Sequence, residues 1–150
     1  MTAFAFDVTV PANEIISTAL GTGPGNTFLS ATDLGKAVTL AVTNTSSHVL
    51  AAAGAEIDGF ITSVEPITVN NGFSFGGILI EGRIQATVGA NQGATPMAPG
   101  DYVVADVQTA VGTLGLAQVK TGAPTKKLWR CISRVSGTGA TGSTVVLERV

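Results

Sequence analysis

The chain has 150 residues, a formal net charge of −2, 45% hydrophobic residues and only 12% charged ones, about half the charged share of an ordinary soluble domain. That length suits one domain able to bury roughly two-thirds of its unfolded surface. A single cysteine, Cys131, excludes an intrachain disulfide and a multi-Cys metal centre. No apolar run approaches the roughly 20 residues of a membrane helix, and a net-acidic chain with a pI near 5.2 is a poor partner for nucleic acid.

The 19 glycines and the abundant Ala, Val and Thr predict short strands and tight turns rather than long helices. So sparse a charge predicts that self-association or attachment to a larger assembly covers part of the surface; the other reading is a monomer solvated by Thr, Ser and Asn. The N-terminus lacks the basic residues of a secretory signal, which predicts synthesis in the cytosol. Residues 1–75 carry six acids and one base, and residues 76–150 four acids and seven bases. This asymmetry predicts attraction between opposite halves of neighbouring copies; the other reading, at so low a charge density, is a chance distribution.

Along the chain, residues 3–10 alternate, with Phe4, Phe6, Val8 and Val10 on one side and Pro11 ending the run. This predicts an extended N-terminal arm, joined by a Gly/Pro-rich linker that ends at residue 25 to a single β-rich domain over 26–150. The arm either docks outside its own domain or completes the barrel. Thr32 to Gly35 read as one capped turn, because Gly35 arrives too early for a helix to propagate. Val38, Leu40 and Val42 alternate with Ala37, Thr39 and Ala41 as a strand, and 49–53 fit either a strand or a turn of helix.

The most regular stretch is 56–88. Ile57, Gly59, Ile61 and Ser63 share one strand face, Phe60, Thr62 and Val64 the other, and Asn70-Asn71-Gly72 supplies a reversal. The return strand carries Gly76, Gly77 and Gly82 where it must bend or bulge. Tyr102 to Val107, a Gly-broken strand through Leu114, Leu116 and Val119, and a closing hairpin of 128–135 with 144–150 complete the pattern. The fold class expected is mainly β: a compact barrel or sandwich of short antiparallel strands with at most one or two helical turns, and no internal repeat.

No catalytic motif emerges. His48, beside Ser46 and Ser47, reads as an exposed loop histidine, since neither serine has a nucleophile-elbow context. Gly35-Lys36 resembles the end of a phosphate-binding loop, but Ser30 stands at the required glycine and Ala37 at the required Ser/Thr. Glu56, Asp58 and Glu65 lack calcium-loop spacing and read as solvated strand edges. Lys120, Lys126, Lys127, Arg130 and Arg134 form a basic patch around Trp129. A strand there puts Trp129, Cys131 and Val135 on one face, with Trp129 in the core. Lys126, Lys127, Arg130 and Arg134 are the candidate polar contacts to an acidic protein surface, the other reading being plain solvation of the strand. No cofactor, metal or catalytic residue is expected.

Gly-Lys-Ala-Val-Thr-Leu at 35–40, Ile-Asp-Gly-Phe-Ile at 57–61, Pro-Gly-Asp-Tyr-Val-Val at 99–104 and the terminal Thr-Val-Val-Leu-Glu-Arg-Val at 144–150 together give an order of elements. That order resembles the small capsid decoration, or cement, proteins of tailed bacteriophages. The resemblance implies a non-enzymatic virion protein on the outer surface of the capsid, bridging capsomers, often as a homotrimer, with the major capsid protein as partner. It also makes Phe4, Phe6, Val8 and Val10 the candidate capsid-docking residues. The alternative class is a β-rich tail or fibre module that binds a host-surface glycan, against which the single Trp and single Tyr argue.

Overall fold

The computed structural model describes residues 14–21, 28–41, 47–65 and 74–150. The proposed arm residues Phe4, Phe6, Val8 and Val10, most of the linker and the Asn70-Asn71-Gly72 reversal lie outside these, while Glu14–Leu20, which the expected boundary at residue 25 placed with the arm and linker, is a barrel strand paired on both sides. The described residues are mainly β, as the alternation predicts. Strands β1 (Glu14–Leu20), β2 (Ala37–Leu40), β3 (Ser47–Leu50), β4 (Gly59–Val64) and β5 (Phe75–Glu81) close one barrel. Strands β6 (Arg83–Val88), β7 (Tyr102–Ala105), β8 (Gln118–Thr121), β9 (Trp129–Ser136) and β10 (Thr144–Arg149) close a second. The one helical element among the described residues is a 3-10 turn at Ala31–Asp33, capped by Ser30, which matches the expected single capped turn, placed one residue earlier.

The return strand that was expected to bend at Gly82 is divided there between the two barrels. Gly82 takes φ 122°, a conformation costly for any residue with a Cβ, so β5 and β6 leave it in separate sheets. Fewer residues pair in β8 than the apolar pattern predicted: Leu114 is 77% exposed, and only Gln118–Thr121 joins the sheet. In β9, Trp129 and Cys131 are buried as expected, but Val135 is exposed. Register shifts along the β9–β10 ladder change which side faces inward, as bulges do.

The two barrels are one design used twice, which the sequence pattern did not disclose. Their strand orders are β1-β3-β2-β4-β5 and β6-β8-β7-β9-β10, each with a single parallel pair, β1 with β3 and β6 with β8. The registers coincide residue by residue. Leu20 pairs with His48 as Val88 pairs with Val119, and Leu40 pairs with His48 as Ala105 pairs with Val119. Ala37 opposite Phe60 matches Tyr102 opposite Arg130, and Phe60 opposite Leu79 matches Arg130 opposite Glu148.

Connecting hydrogen bonds repeat as well. Gly35 donates to the Ile61 carbonyl at 2.7 Å as Gly100 does to that of Cys131 at 2.7 Å, and Leu20 donates to Ser74 at 2.9 Å as Val88 does to Ser143 at 2.8 Å. Gly35 and Gly100 stand at φ 86° and 97°, turning the chain into β2 and β7 in the same way.

Leu20, Leu29, Val38, Ile61 and Ile78 fill the N-terminal barrel. The neighbouring residues along its strands point the other way: Ala37, Phe60 and Leu79 belong to the cluster that includes Trp129, Val103 and Leu147 of the C-terminal barrel. Strand segments buried on both faces read as continuous apolar runs, and Ala37-Val38 of β2, Gly59-Phe60-Ile61 of β4 and residues 76–79 of β5 do so here. At the junction the rings of Phe60 and Trp129 meet edge to face, 4.8 Å between centroids. A pair of this kind adds about 0.5–1.5 kcal/mol beyond its burial. The Trp129 Nε1–H donates to the Ile57 carbonyl at 3.2 Å.

Candidate functional site

The charged side chains that attract attention in the sequence mostly fasten the two barrels together. Lys36 and Asp33 are fully buried, with Nζ 2.6 Å from Oδ1. Both then reach a loop of the C-terminal barrel: Lys36 Nζ donates to the Ala110 carbonyl at 2.9 Å, and the Gly112 N–H donates to Asp33 Oδ1 at 3.0 Å. Burial opposes the charge of Asp33, but hydrogen bonds from Lys36, Ser30 and Gly112 outweigh it and hold the carboxyl below its ordinary value. The Gly-Lys step is therefore a buried structural ion pair, which accounts for its misfit to a phosphate loop.

Glu56 and Asp58, expected as solvated strand-edge acids, work across the same seam. Glu56 Oε1 accepts the backbone N–H groups of Thr125, Lys126 and Lys127 at 2.7, 2.6 and 3.0 Å, which lower its pKa and hold the loop before β9. Asp58 Oδ2 accepts the Leu40 N–H at 2.6 Å, while Oδ1 lies 3.6 Å from Lys127 Nζ.

The four candidate contact residues thus have different surroundings. Lys126 is exposed and gives its backbone N–H to Glu56. Lys127 pairs with Asp58 and Arg130 with Glu148, at 3.6 and 3.8 Å. Arg134 donates from Nε to the Met97 carbonyl at 2.9 Å.

His48 corrects the loop reading. It lies in β3, is 8% exposed, and its Nδ1 is 2.8 Å from Thr18 Oγ1. Ser47, one of the polar neighbours that suggested a turn, is itself the first residue of this strand, whose backbone is paired on both sides, to β1 and β2. Burial, with the Lys127 charge adding to it and Asp58 opposing, lowers the imidazole pKa below 6.5, so near neutral pH the ring is uncharged.

His48 lines a cavity of about 330 Å³ at the seam, with an apolar floor of Ile16, Leu40 and Ile80 and a rim that includes Asp58, Lys127 and Arg149. Asp58 is bonded to backbone and Lys127 rather than to the imidazole. The hydroxyl of Thr18 also lies 3.4 Å from the Ala19 carbonyl. The arrangement therefore orients no base toward an exposed nucleophile, as general-base catalysis requires.

Among the described residues no three His, Cys, Asp or Glu side chains are grouped to hold a metal ion, and no helix is long and apolar enough to cross a membrane. Cys131 is buried, and burial raises its thiol pKa, which makes it a poor nucleophile.

One surface open to a partner is the outer face of the C-terminal barrel. Arg83, Glu148, Arg130 and Tyr102 form one row across β6, β10, β9 and β7, each opposite the next. Glu148 sits 3.7 Å from Arg83 and 3.8 Å from Arg130, whose side chains are 49% and 44% exposed. Sequence reasoning found Arg130 but not the row, because its members come from four strands and only the register aligns them. No protein-family model, no curated protein and no solved structure matches the chain.

Proposed function

We propose that the chain is a structural virion protein, a capsid decoration or cement protein that binds the outside of a tailed-phage head, contacts the major capsid protein and stabilises contacts between capsomers. One observation carries the reading beyond the resemblance of segment order. The stretches at 35–40 and 99–104, two of those on which the resemblance rests, occupy equivalent positions in the two barrels, each entering its strand through a positive-φ glycine. The charged groups of the seam are spent on cross-bracing, as suits a module that works by binding and by bearing load. In this reading the protein has no turnover, needs no cofactor and associates as a homo-oligomer, a trimer by resemblance.

Phe4, Phe6, Val8 and Val10 serve as the docking arm. Burying two Phe side chains contributes roughly 1.5–3 kcal/mol each before the arm's ordering cost is subtracted. The glycan-binding alternative is weaker, because Trp129, the single tryptophan, is fully buried and is unavailable as a stacking platform.

Co-sedimentation with expanded phage heads stripped of decoration protein tests the proposal. The full chain should pellet with expanded shells and not with unexpanded ones, and a variant lacking residues 1–10 should stay folded and remain in the supernatant. Absence of binding by the full chain to any expanded shell contradicts the proposal, and undiminished binding by the truncated chain removes the arm from it.

A further inference from the structure

The row on the outer face of the C-terminal barrel has a counterpart whose occupant is known. By register, Arg83, Glu148, Arg130 and Tyr102 correspond to Ile15, Leu79, Phe60 and Ala37. In the N-terminal barrel the last three of these are buried against the other barrel. In the C-terminal barrel the same surface lies open, with Tyr102 41% exposed and two arginines around one glutamate. Charge divides along the same boundary. Residues 1–81 hold seven acids and one base, net −6, while residues 82–150 hold three acids and seven bases, net +4. On β1 and β5, Glu14 and Glu81 stand opposite each other and both are exposed, a like-charge pairing that costs stability until a cation meets it.

We infer that this row is a self-association surface, whose occupant is the acidic N-terminal barrel of a second copy of the chain. The inference rests on the self-association included in the proposed function and not on capsid binding. The geometry of the fold supplies a surface already used for barrel-on-barrel packing, and the charges supply its complement. Arg83 and Arg130 of one copy meet Glu14 and Glu81 of the next, with Tyr102 as the apolar contact. Because the two sides differ, the contact is heterologous, and repeating it gives a ring where the rotation closes and a filament where it does not. Its polar character makes it reversible and sensitive to salt.

Light scattering and sedimentation of the purified full chain test this, with NaCl raised from about 0.1 to about 1 M, which shortens the screening length from about 10 to about 3 Å. The expected result is an oligomer at low salt whose dissociation constant rises about tenfold or more across that range. The variant Arg83→Glu/Arg130→Glu should be a folded monomer, and so should Glu14→Arg/Glu81→Arg. Mixing the two should restore association. Since both altered sites are exposed, fold is checked by Trp129 fluorescence, and failure of one variant to fold leaves the other to decide.

A wild-type chain that is monomeric at every salt concentration overturns both this interface and the self-association, without touching capsid binding. An oligomer that survives either charge reversal overturns the interface alone. Failure of the two folded variants to recombine does the same.

Discussion

In the N-terminal barrel the row from Ile15 through Leu79 and Phe60 to Ala37 runs from the surface into a buried junction. Its counterpart in the C-terminal barrel, Arg83, Glu148, Arg130 and Tyr102, stays outside. Backbone register is the same in both; the side chains record what each face touches. One barrel makes its core contacts on both sides of β2, β4 and β5, while the other keeps an ordinary inside and outside. Position, not strand identity, has selected the chemistry. The residue before this row differs in size rather than in burial: Gly59 in β4 corresponds to Trp129 in β9, and both are buried. The small residue lets β4 lie against β5, and the large one fills the space between barrels.

The sharpest way to break the comparison is to cut equivalent residues. Phe60→Ala removes a fully buried ring that touches Trp129 and should cost about 3–5 kcal/mol in urea unfolding. Arg130→Ala, at the matching position, loses one exposed ion pair of 3.8 Å and should change stability by less than about 1 kcal/mol. Similar costs for the two would mean that the registers match without the environments differing.

The buried ion pair gives the next largest effect. Lys36→Met leaves Asp33 charged and unpartnered by its cation, and should cost about 3–5 kcal/mol. Adding Asp33→Asn, which keeps a carbonyl for the Gly112 N–H, should recover part of that loss. Asp101, which corresponds to Lys36 and accepts the Ala98 N–H at 2.9 Å, is a surface turn residue. Asp101→Asn should cost about 1 kcal/mol or less.

A smaller effect separates Thr18 and His48 from their counterparts, Ala86 and Val119. The folded-state pKa of His48 is depressed below 6.5, so its contribution is complete above that pH and is lost as pH falls through the folded value. The unfolded chain takes up the proton first, and stability should decline with a slope of up to about 1.4 kcal/mol per pH unit in that window. Transplanting the other barrel's pair, Thr18→Ala/His48→Val, should remove that slope, as read from urea midpoints between pH 7 and pH 5. A slope that persists unchanged in the double variant would assign it to other groups.

Much of this architecture was legible as alternation. β10 follows the period-two pattern closely, β4 formed where the pattern placed it although its first half is buried on both faces, and the burial of Trp129 was expected from its strand face. The duplication was not legible, because what repeats is hydrogen bonding. Identical side chains are scattered between the copies, for example Ile16 with Ile84, Val38 with Val103 and Ser63 with Ser133, whereas Phe60 with Arg130 and Leu79 with Glu148 are opposites in polarity. His48 was misplaced because Ser46 and Ser47 resemble a turn, yet strand pairing on both sides buries it. The bracing roles of Glu56, Asp58 and Asp33 depend on loops distant in sequence, at 110–112 and 125–127, and no local pattern announces such contacts. The row on the C-terminal barrel is invisible for the same reason.

Trp129 is the single tryptophan and lies at the seam, so its emission reports on barrel docking, while far-ultraviolet circular dichroism reports on all the strands. Because Phe60 and Leu79 of one barrel and Trp129 and Leu147 of the other share one core, the two barrels should unfold as one cooperative unit. Urea unfolding followed by both signals on the same samples should give superimposable transitions with one midpoint. A fluorescence transition that precedes the loss of strand signal would show barrels that separate before they unfold, and would contradict it.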